Sequence, residues 1–238
     1  MYVPDLYRAQ ETALHHEVIE GHPFGMLTAV VDGRIHGTHI PFVLDKEPEH
    51  GPNGRLRGHL SKANPVVAAL HAGEEMMVAF VGPHSYIRPD DYASEPHFPT
   101  WNYAAVHAYG RPRVMEGEEE LRQLADLIAH EEARFLPKEP WTLDRAPGEL
   151  VEGFRSGIVA FELPLDRLDG IVKFGQNKQP EDVRAQISSF RARAAEAAAS
   201  ASAVADRMES HNAERLEFQP HSQSSIQPPV QPSTRKAY

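Results

Sequence analysis

The sequence predicts a mainly β domain with peripheral helices, an α+β arrangement whose antiparallel sheet curls toward a small barrel. Three observations carry this. Extended runs rich in β-branched and aromatic residues recur at short spacing through Phe174, two of them are joined by Asp32-Gly33, and a sustained helical period is confined to Glu118 to Phe135. A doubly wound fold would need helices alternating regularly with strands, and that order is missing.

Taken in order, a short helix from Ala9 to Glu20 is expected from Leu14 and Val18 one turn apart, with Gly21 and Pro23 as its stop. Phe24 to Val31 and Arg34 to Leu44 form a hairpin, because Asp32-Gly33 suits the positive φ angles of a type I′ turn. A polar loop, Glu47 to Gly54, leads to a third strand from Arg55 to Leu60. Asn64-Pro65 then caps a short helix reaching His71. Met76 to Val81 is an apolar strand, and Ser85 to Arg88 is a separate extended piece beyond Gly82-Pro83. Pro99 to Gly110 is the next strand. In Glu118 to Phe135, Leu121, Leu124, Ile128 and Phe135 share a helical face, and three glutamates sit where the helix dipole favours anions. Gly157 to Leu163 and Gly170 to Phe174 are the last strands, separated by Pro164 to Asp169. Residues 1–180 therefore form one domain. Residues 181–209, rich in Ala, Arg and Glu, are expected to be helical, and 210–238, rich in Ser, Gln and Pro, to be disordered.

Composition narrows the function. With 41% hydrophobic residues the chain can build a core, and with no cysteine it has no disulfide, thiolate metal site or cysteine nucleophile. A net charge of −10 without a Lys/Arg cluster opposes direct DNA binding and anionic membranes. The N-terminal residues lack the basic and apolar regions of a signal peptide, and no apolar run reaches 18 residues. A soluble, cytoplasmic protein is the expectation.

Several segments hold residues suited to chemistry. In Pro99 to Gly110, alternation puts Trp101, Tyr103, Ala105, His107 and Tyr109 on one side and Asn102, Ala104, Val106 and Ala108 on the other. Two readings fit: a barrel strand with a small-residue face on the core, or a ligand wall in which aromatics stack and Asn or His reads an edge. Arg57, Ser61 and Lys62 precede the Asn64-Pro65 helix start, which suits a phosphate seat as well as ordinary solvated charges. His15-His16-Glu17 and His130-Glu131-Glu132 lack the spacing that puts two imidazoles on one helical face, so no metal ligand is assigned. His59, His84 and His107 read as cleft-lining or core hydrogen-bonding groups. No serine lies in a nucleophile elbow, and no catalytic residue is assigned. Phe174-Gly175-Gln176-Asn177-Lys178 suits a pocket rim or a turn.

These segments together resemble the PaiB family, described as FMN-binding negative transcriptional regulators with a split β-barrel. The resemblance runs in order through Met1-Tyr2-Val3-Pro4, Pro23-Phe24-Gly25, Thr38-His39-Ile40-Pro41-Phe42, Leu56 to Pro65, Gly82-Pro83-His84-Ser85-Tyr86-Ile87, Pro99 to Gly110, Pro140-Trp141 and Lys173 to Lys178, covering Met1 to about Arg191. It implies a split barrel of the pyridoxamine phosphate oxidase-like type and a homodimer with FMN in a cleft at the subunit interface. It further implies phosphate contacts from Arg57, Ser61 and Lys62, and a ring site near His84, Tyr86, Ile87, Trp101 and Asn102, with His59 and Gln176 as further candidate cofactor-binding residues. The function implied is a flavin-dependent oxidoreductase-like protein acting on a small molecule, or a regulator acting indirectly through a small-molecule effector. A cofactor-diverged enzyme using the same cleft with haem, iron or no flavin, and a transcriptional repressor, are the alternatives. The chain departs from the family pattern at Lys62, usually arginine, at Gly175, usually serine, and at Arg88-Pro89-Asp90-Asp91-Tyr92, where Ser-Pro-Ser-Trp-Tyr is usual. The connection before Pro99 is also shortened.

Overall fold

A computed structural model describes residues 1–197, with side chains described through residue 192. The elements are α1 (Thr12–Gly21), β1 (Phe24–Val31), β2 (Arg34–Pro41), β3 (Val43–Asp45), β4 (Arg55–Ser61), α2 (Val67–Ala72), β5 (Met76–Ile87), β6 (Thr100–Gly110), β7 (Arg113–Met115), α3 (Glu118–Glu132), α4 (Gly148–Ser156), β8 (Ile158–Lys173) and α5 (Pro180–Ala197). Every strand pairing is antiparallel, in the order β2-β1-β5-β6-β8-β4-β3, with β7 paired to β8. The strands curl around one core as a split barrel.

The hairpin forms as its turn dictates, with Asp32 at φ 50° and Gly33 at φ 72°. Its second arm ends earlier than the expected Leu44. Phe42 breaks out of pairing, donates its backbone N–H to the Pro23 carbonyl at 3.0 Å, and turns its ring inward. There it meets Phe80 edge-on at 5.6 Å and Phe161 at 6.3 Å, joining the two halves of the barrel. Leu27, Leu56, Phe80, Phe161 and Leu163 are fully shielded around it. The expected cap is corrected: α2 starts at Val67, two residues later than Pro65, with Val66 at its N-cap and no side-chain cap bond, while the Asn64 side-chain oxygen accepts the Val66 N–H at 3.0 Å in a turn ahead of the helix.

Three expectations are corrected. The pieces on either side of Gly82-Pro83 are one strand, β5, with a register shift between Val81 and His84, so the break is a bulge. The two expected final strands are likewise one. β8 pairs with β4 through Pro164 and with β6 from Leu165 onward, so Pro164 marks the corner where the strand changes partners. A side chain on Gly110 would meet the Pro164 carbonyl oxygen at 2.0 Å, and glycine is what lets β6 approach that corner. Finally, α3 stops at Glu132. The single 3-10 turn Ala133–Phe135 rotates Phe135 off the expected apolar face, leaving it 66% exposed.

The chain forms two compact units, Met1–Pro89 with Pro96–Gln179, and Asp90–Glu95 with the segment from Pro180. In the second, the Asp182 carboxylate accepts hydrogen bonds from the Ala93 and Ser94 backbone N–H groups at 3.0 Å each, and Asp91 accepts one from Ser189 Oγ at 2.7 Å. The altered Asp90-Asp91 pair thus belongs to a loop bonded to α5. The expected helical stretch matches α5 through Ala197, and its remainder, with the tail 210–238, lies outside the described residues.

Candidate functional site

The bulge in β5 sets the site's geometry. It brings His84 opposite Tyr103 and Tyr86 opposite Trp101 in the β5–β6 pairing. Tyr86 meets Trp101 edge-on at 5.9 Å, and the His84 ring lies 6.2 Å from the indole, with its Nδ1 at 3.0 Å from the Gly82 carbonyl. Trp101 is 51% exposed and Tyr86 44%. The same outward face of the β2-β1-β5-β6 sheet also presents Phe24, Val30, Ile35 and Val81 to solvent.

Alternation removes two expected residues from that wall. Asn102 and Ile87 point inward, Ile87 with no exposed surface, because they occupy the opposite strand face from Trp101 and Tyr86. The reading of Pro99–Gly110 as a barrel strand with a small-residue face on the core is the one the burial pattern shows. Its small residues Ala104, Val106 and Ala108 pack on the core, and its aromatic side stays open.

Arg57 and His59 are elsewhere. Both lie on the β4 face covered by α3. Arg57 is 5% exposed and fully engaged: Nε and Nη2 donate to the two Asp45 carboxylate oxygens, and Nη1 donates to Asp126, each at 2.7 Å. Burial favours a neutral Arg57, but both carboxylates outweigh it and its pKa rises. Burial likewise pushes the Asp45 carboxyl up, and the hydrogen bonds from Arg57 and Arg55 reverse this, holding it below its ordinary value. The bidentate fork expected to grip a phosphate here grips Asp45. The pairing is extended by Arg55, which bridges Asp45 at 2.7 Å and Glu162 at 2.6 Å, and by Arg113 on Glu162 at 2.7 Å. Sequence reading missed Asp45 and Asp126, although the β3–β4 register that puts Asp45 opposite Arg55 carried a signal. His59 lines a cavity beneath α4, away from the aromatic wall.

Ser61 and Lys62 are exposed at the turn after β4, and Lys62 makes no ion pair among the described residues. That turn sits beside β2, since the Asn64 amide donates to Thr38 Oγ1 at 3.2 Å. Thr38 shares a cross-strand row with Leu27, Val78 and Ala108, and Trp101 lies seven residues further along β6. At about 3.3 Å per residue the seven residues span about 23 Å, and Thr38 lies three strand spacings of about 4.8 Å from β6, so the turn and the indole are more than about 20 Å apart within one chain. The structure brings together His84, Tyr86 and Trp101, and it does not bring them to Ser61 and Lys62.

Gln176 follows β8 near the wall, but its side chain serves its own turn, accepting from the Phe174 N–H at 2.7 Å and donating to the Val172 carbonyl at 2.6 Å. Gly175 has φ 83°, a conformation costly for the serine usual in the family. No cluster of three or more His, Asp or Glu side chains able to hold a metal occurs among the described residues. No helix among them is long and apolar enough to cross a membrane.

Comparison with known proteins gives this geometry its context. Residues 1–167 match the family described as "Putative FMN-binding domain". The chain belongs to that family, the PaiB family. PaiB relatives include an uncharacterised protein of Emericella nidulans, 31% identical over 80% of this chain and 90% of its own length. Another is Protease synthase and sporulation protein PAI 2 of Bacillus subtilis, 29% identical over 76% of this chain and 85% of its own length. Among solved structures, the FAD and heme binding protein from Mycobacterium smegmatis superposes with a TM-score of 0.53 at 16% identity, covering 77% of this chain and 80% of its own. That likeness establishes the fold, a split barrel.

Proposed function

We propose that this PaiB-type chain binds FMN in a slot between two copies of itself and acts through it on a small molecule, either as an oxidoreductase or as a sensor whose regulatory effect is indirect. The observation that carries this is the open wall of His84, Tyr86 and Trp101 on a sheet face that stays largely apolar and exposed. Burying that face against a second copy removes apolar area from water at about 25 cal/mol per Å². It also supplies the phosphate contact the wall lacks. With Lys62 and Ser61 more than about 20 Å from Trp101 in one chain, a ligand reaching both meets them on different subunits.

In this arrangement Trp101 and Tyr86 flank the flat ring, His84 offers its Nε2 at the ring edge, and Lys62 with the Ser61 hydroxyl neutralises the phosphate. Lys62 contributes a point charge where family members place a planar fork. When bound, FMN supplies one- or two-electron redox chemistry. The chain's own residues orient it and exclude water. Arg57 takes no direct part and holds β4 in place beneath α3. The net charge of −10 favours an indirect regulatory role over direct contact with DNA.

The test is the absorption spectrum of purified protein with quantification of released FMN, combined with sedimentation. A yellow dimer carrying FMN is the expected result. A colourless monomer that refuses added FMN overturns the proposal.

A further inference from the structure

A cavity of about 280 Å³ lies between α3 and α4 on the outer side of β4, on the far half of the barrel from the aromatic wall. Its walls are apolar, from Leu124 and Ile128 on α3, Trp141 in the connection, and Leu150 and Phe154 on α4. The exception is His59. α4 has no buried residue, and Trp141, Leu150 and Phe154 remain 38%, 37% and 67% exposed. A nine-residue helix is marginal in water without a packed face. α4 presents such a face and packs it against space, tethered through Arg155 to Glu120 at 3.2 Å.

The polar side is equally incomplete. Gln123, one turn before Leu127 on the buried side of α3, has no exposed surface and does not itself line the cavity; its amide faces the His59 ring without reaching full hydrogen-bond geometry to any described residue. His59 Nδ1 is also buried and unpartnered. Gln123 lies close enough to influence the ring. Burial lowers the His59 pKa, and Gln123 and the Glu120 charge only partly offset this, so the imidazole is neutral near pH 7. Glu120 and Arg155 neutralise one another, which leaves no unpaired charge at the polar end to hold an ionised ligand.

We propose that this cavity binds a small neutral ligand with a two-ring apolar body and one hydroxyl group, which hydrogen-bonds to His59 with Gln123 orienting the imidazole. Size sets a minimum body: an apolar cavity of about 150 Å³ takes benzene, so about 280 Å³ takes a second ring, and the cavity continues past Ile128, Trp141, Leu143, Ala146 and Val151 into the wider groove between α3 and the segment that carries α4. The neutral imidazole sets the head, since it can either accept from or donate to a hydroxyl. Occupancy completes the packing of α4 against α3. The site is independent of the flavin reading.

The probe is 2-naphthol, with naphthalene as the counterpart lacking a hydroxyl, titrated calorimetrically into the full chain with and without saturating FMN. The expected result is one site per chain with a Kd on the order of 100 µM or tighter, unaffected by FMN. His59→Leu should weaken 2-naphthol about fivefold and leave naphthalene unchanged, the effect of losing one hydrogen bond. Leu150→Trp, at a half-exposed position where folding is tolerant, should fill the cavity and abolish binding of both. No binding below about 1 mM, displacement by FMN, or 2-naphthol affinity unchanged in Leu150→Trp overturns the proposal. A change of oligomeric state in Leu150→Trp also overturns it, assigning the face to a second copy instead.

Discussion

Replacing Arg57 with leucine separates a structural role from a cofactor-gripping one. The guanidinium makes three hydrogen bonds at 2.7 Å, two to Asp45 and one to Asp126, from a position 5% exposed. Breaking a buried ion pair by removing one partner costs about 3 to 5 kcal/mol when the other is left uncompensated. Two features reduce that here. Asp45 keeps the Arg55 hydrogen bond at 2.7 Å, and the Asp126 side chain is 42% exposed and regains water. Leucine also fills part of the vacated space, so the expected loss of unfolding free energy is about 2 to 3 kcal/mol. Urea unfolding measures it as a fall in midpoint at constant slope. FMN affinity, measured on folded protein, should change less than twofold. Stability within about 0.5 kcal/mol of the parent, together with FMN affinity falling tenfold or more, would refute the reasoning and return Arg57 to the phosphate.

Stability should also fall as the solution is acidified below pH 6.5. His15 is buried with neither ring nitrogen partnered among the described residues, and burial, helped by the charge of His16 and opposed by Asp169, lowers its pKa. Below the unfolded-state value the unfolded chain binds a proton that the folded chain refuses, so stability is lost at up to about 1.4 kcal/mol per pH unit until the folded pKa is passed. The His15→Leu variant should show a shallower decline between pH 7 and 5.5 in urea titrations, and an unaltered slope would contradict this. Gly110→Ala should cost at least about 3 kcal/mol, because its Cβ would meet the Pro164 backbone oxygen at 2.0 Å and neither strand can yield cheaply. A urea midpoint within error of the parent would show that the β8 corner is loose.

Local signals were legible where a few adjacent residues decide the outcome. Asp32-Gly33 specifies its hairpin, Asn64 the turn that precedes α2, and the alternation of Trp101 through Tyr109 specifies which side faces out. What stayed hidden depends on distant partners. Pro164 reads as a strand end, and it is tolerated because β8 changes neighbours there, a fact set by β4 and β6. Arg57 reads as a free cation because its partners, Asp45 and Asp126, lie 12 and 69 positions away. Gln123 was overlooked because a polar residue on the apolar side of an amphipathic helix leaves only a gap in the period, which does not say what fills it. α4 escaped for a related reason, since its apolar side chains pack against a cavity.

The central claim is that the flavin slot is composite, with Trp101 from one subunit and Lys62 from the other. The most direct measurement mixes Lys62→Ala and Trp101→Ala chains, each impaired alone, and counts FMN bound by the isolated mixed dimer. One of its two slots then pairs an intact Lys62 with an intact Trp101, so the account predicts one FMN per mixed dimer at near-parental affinity. A mixed dimer that binds no more FMN than either variant alone would contradict it.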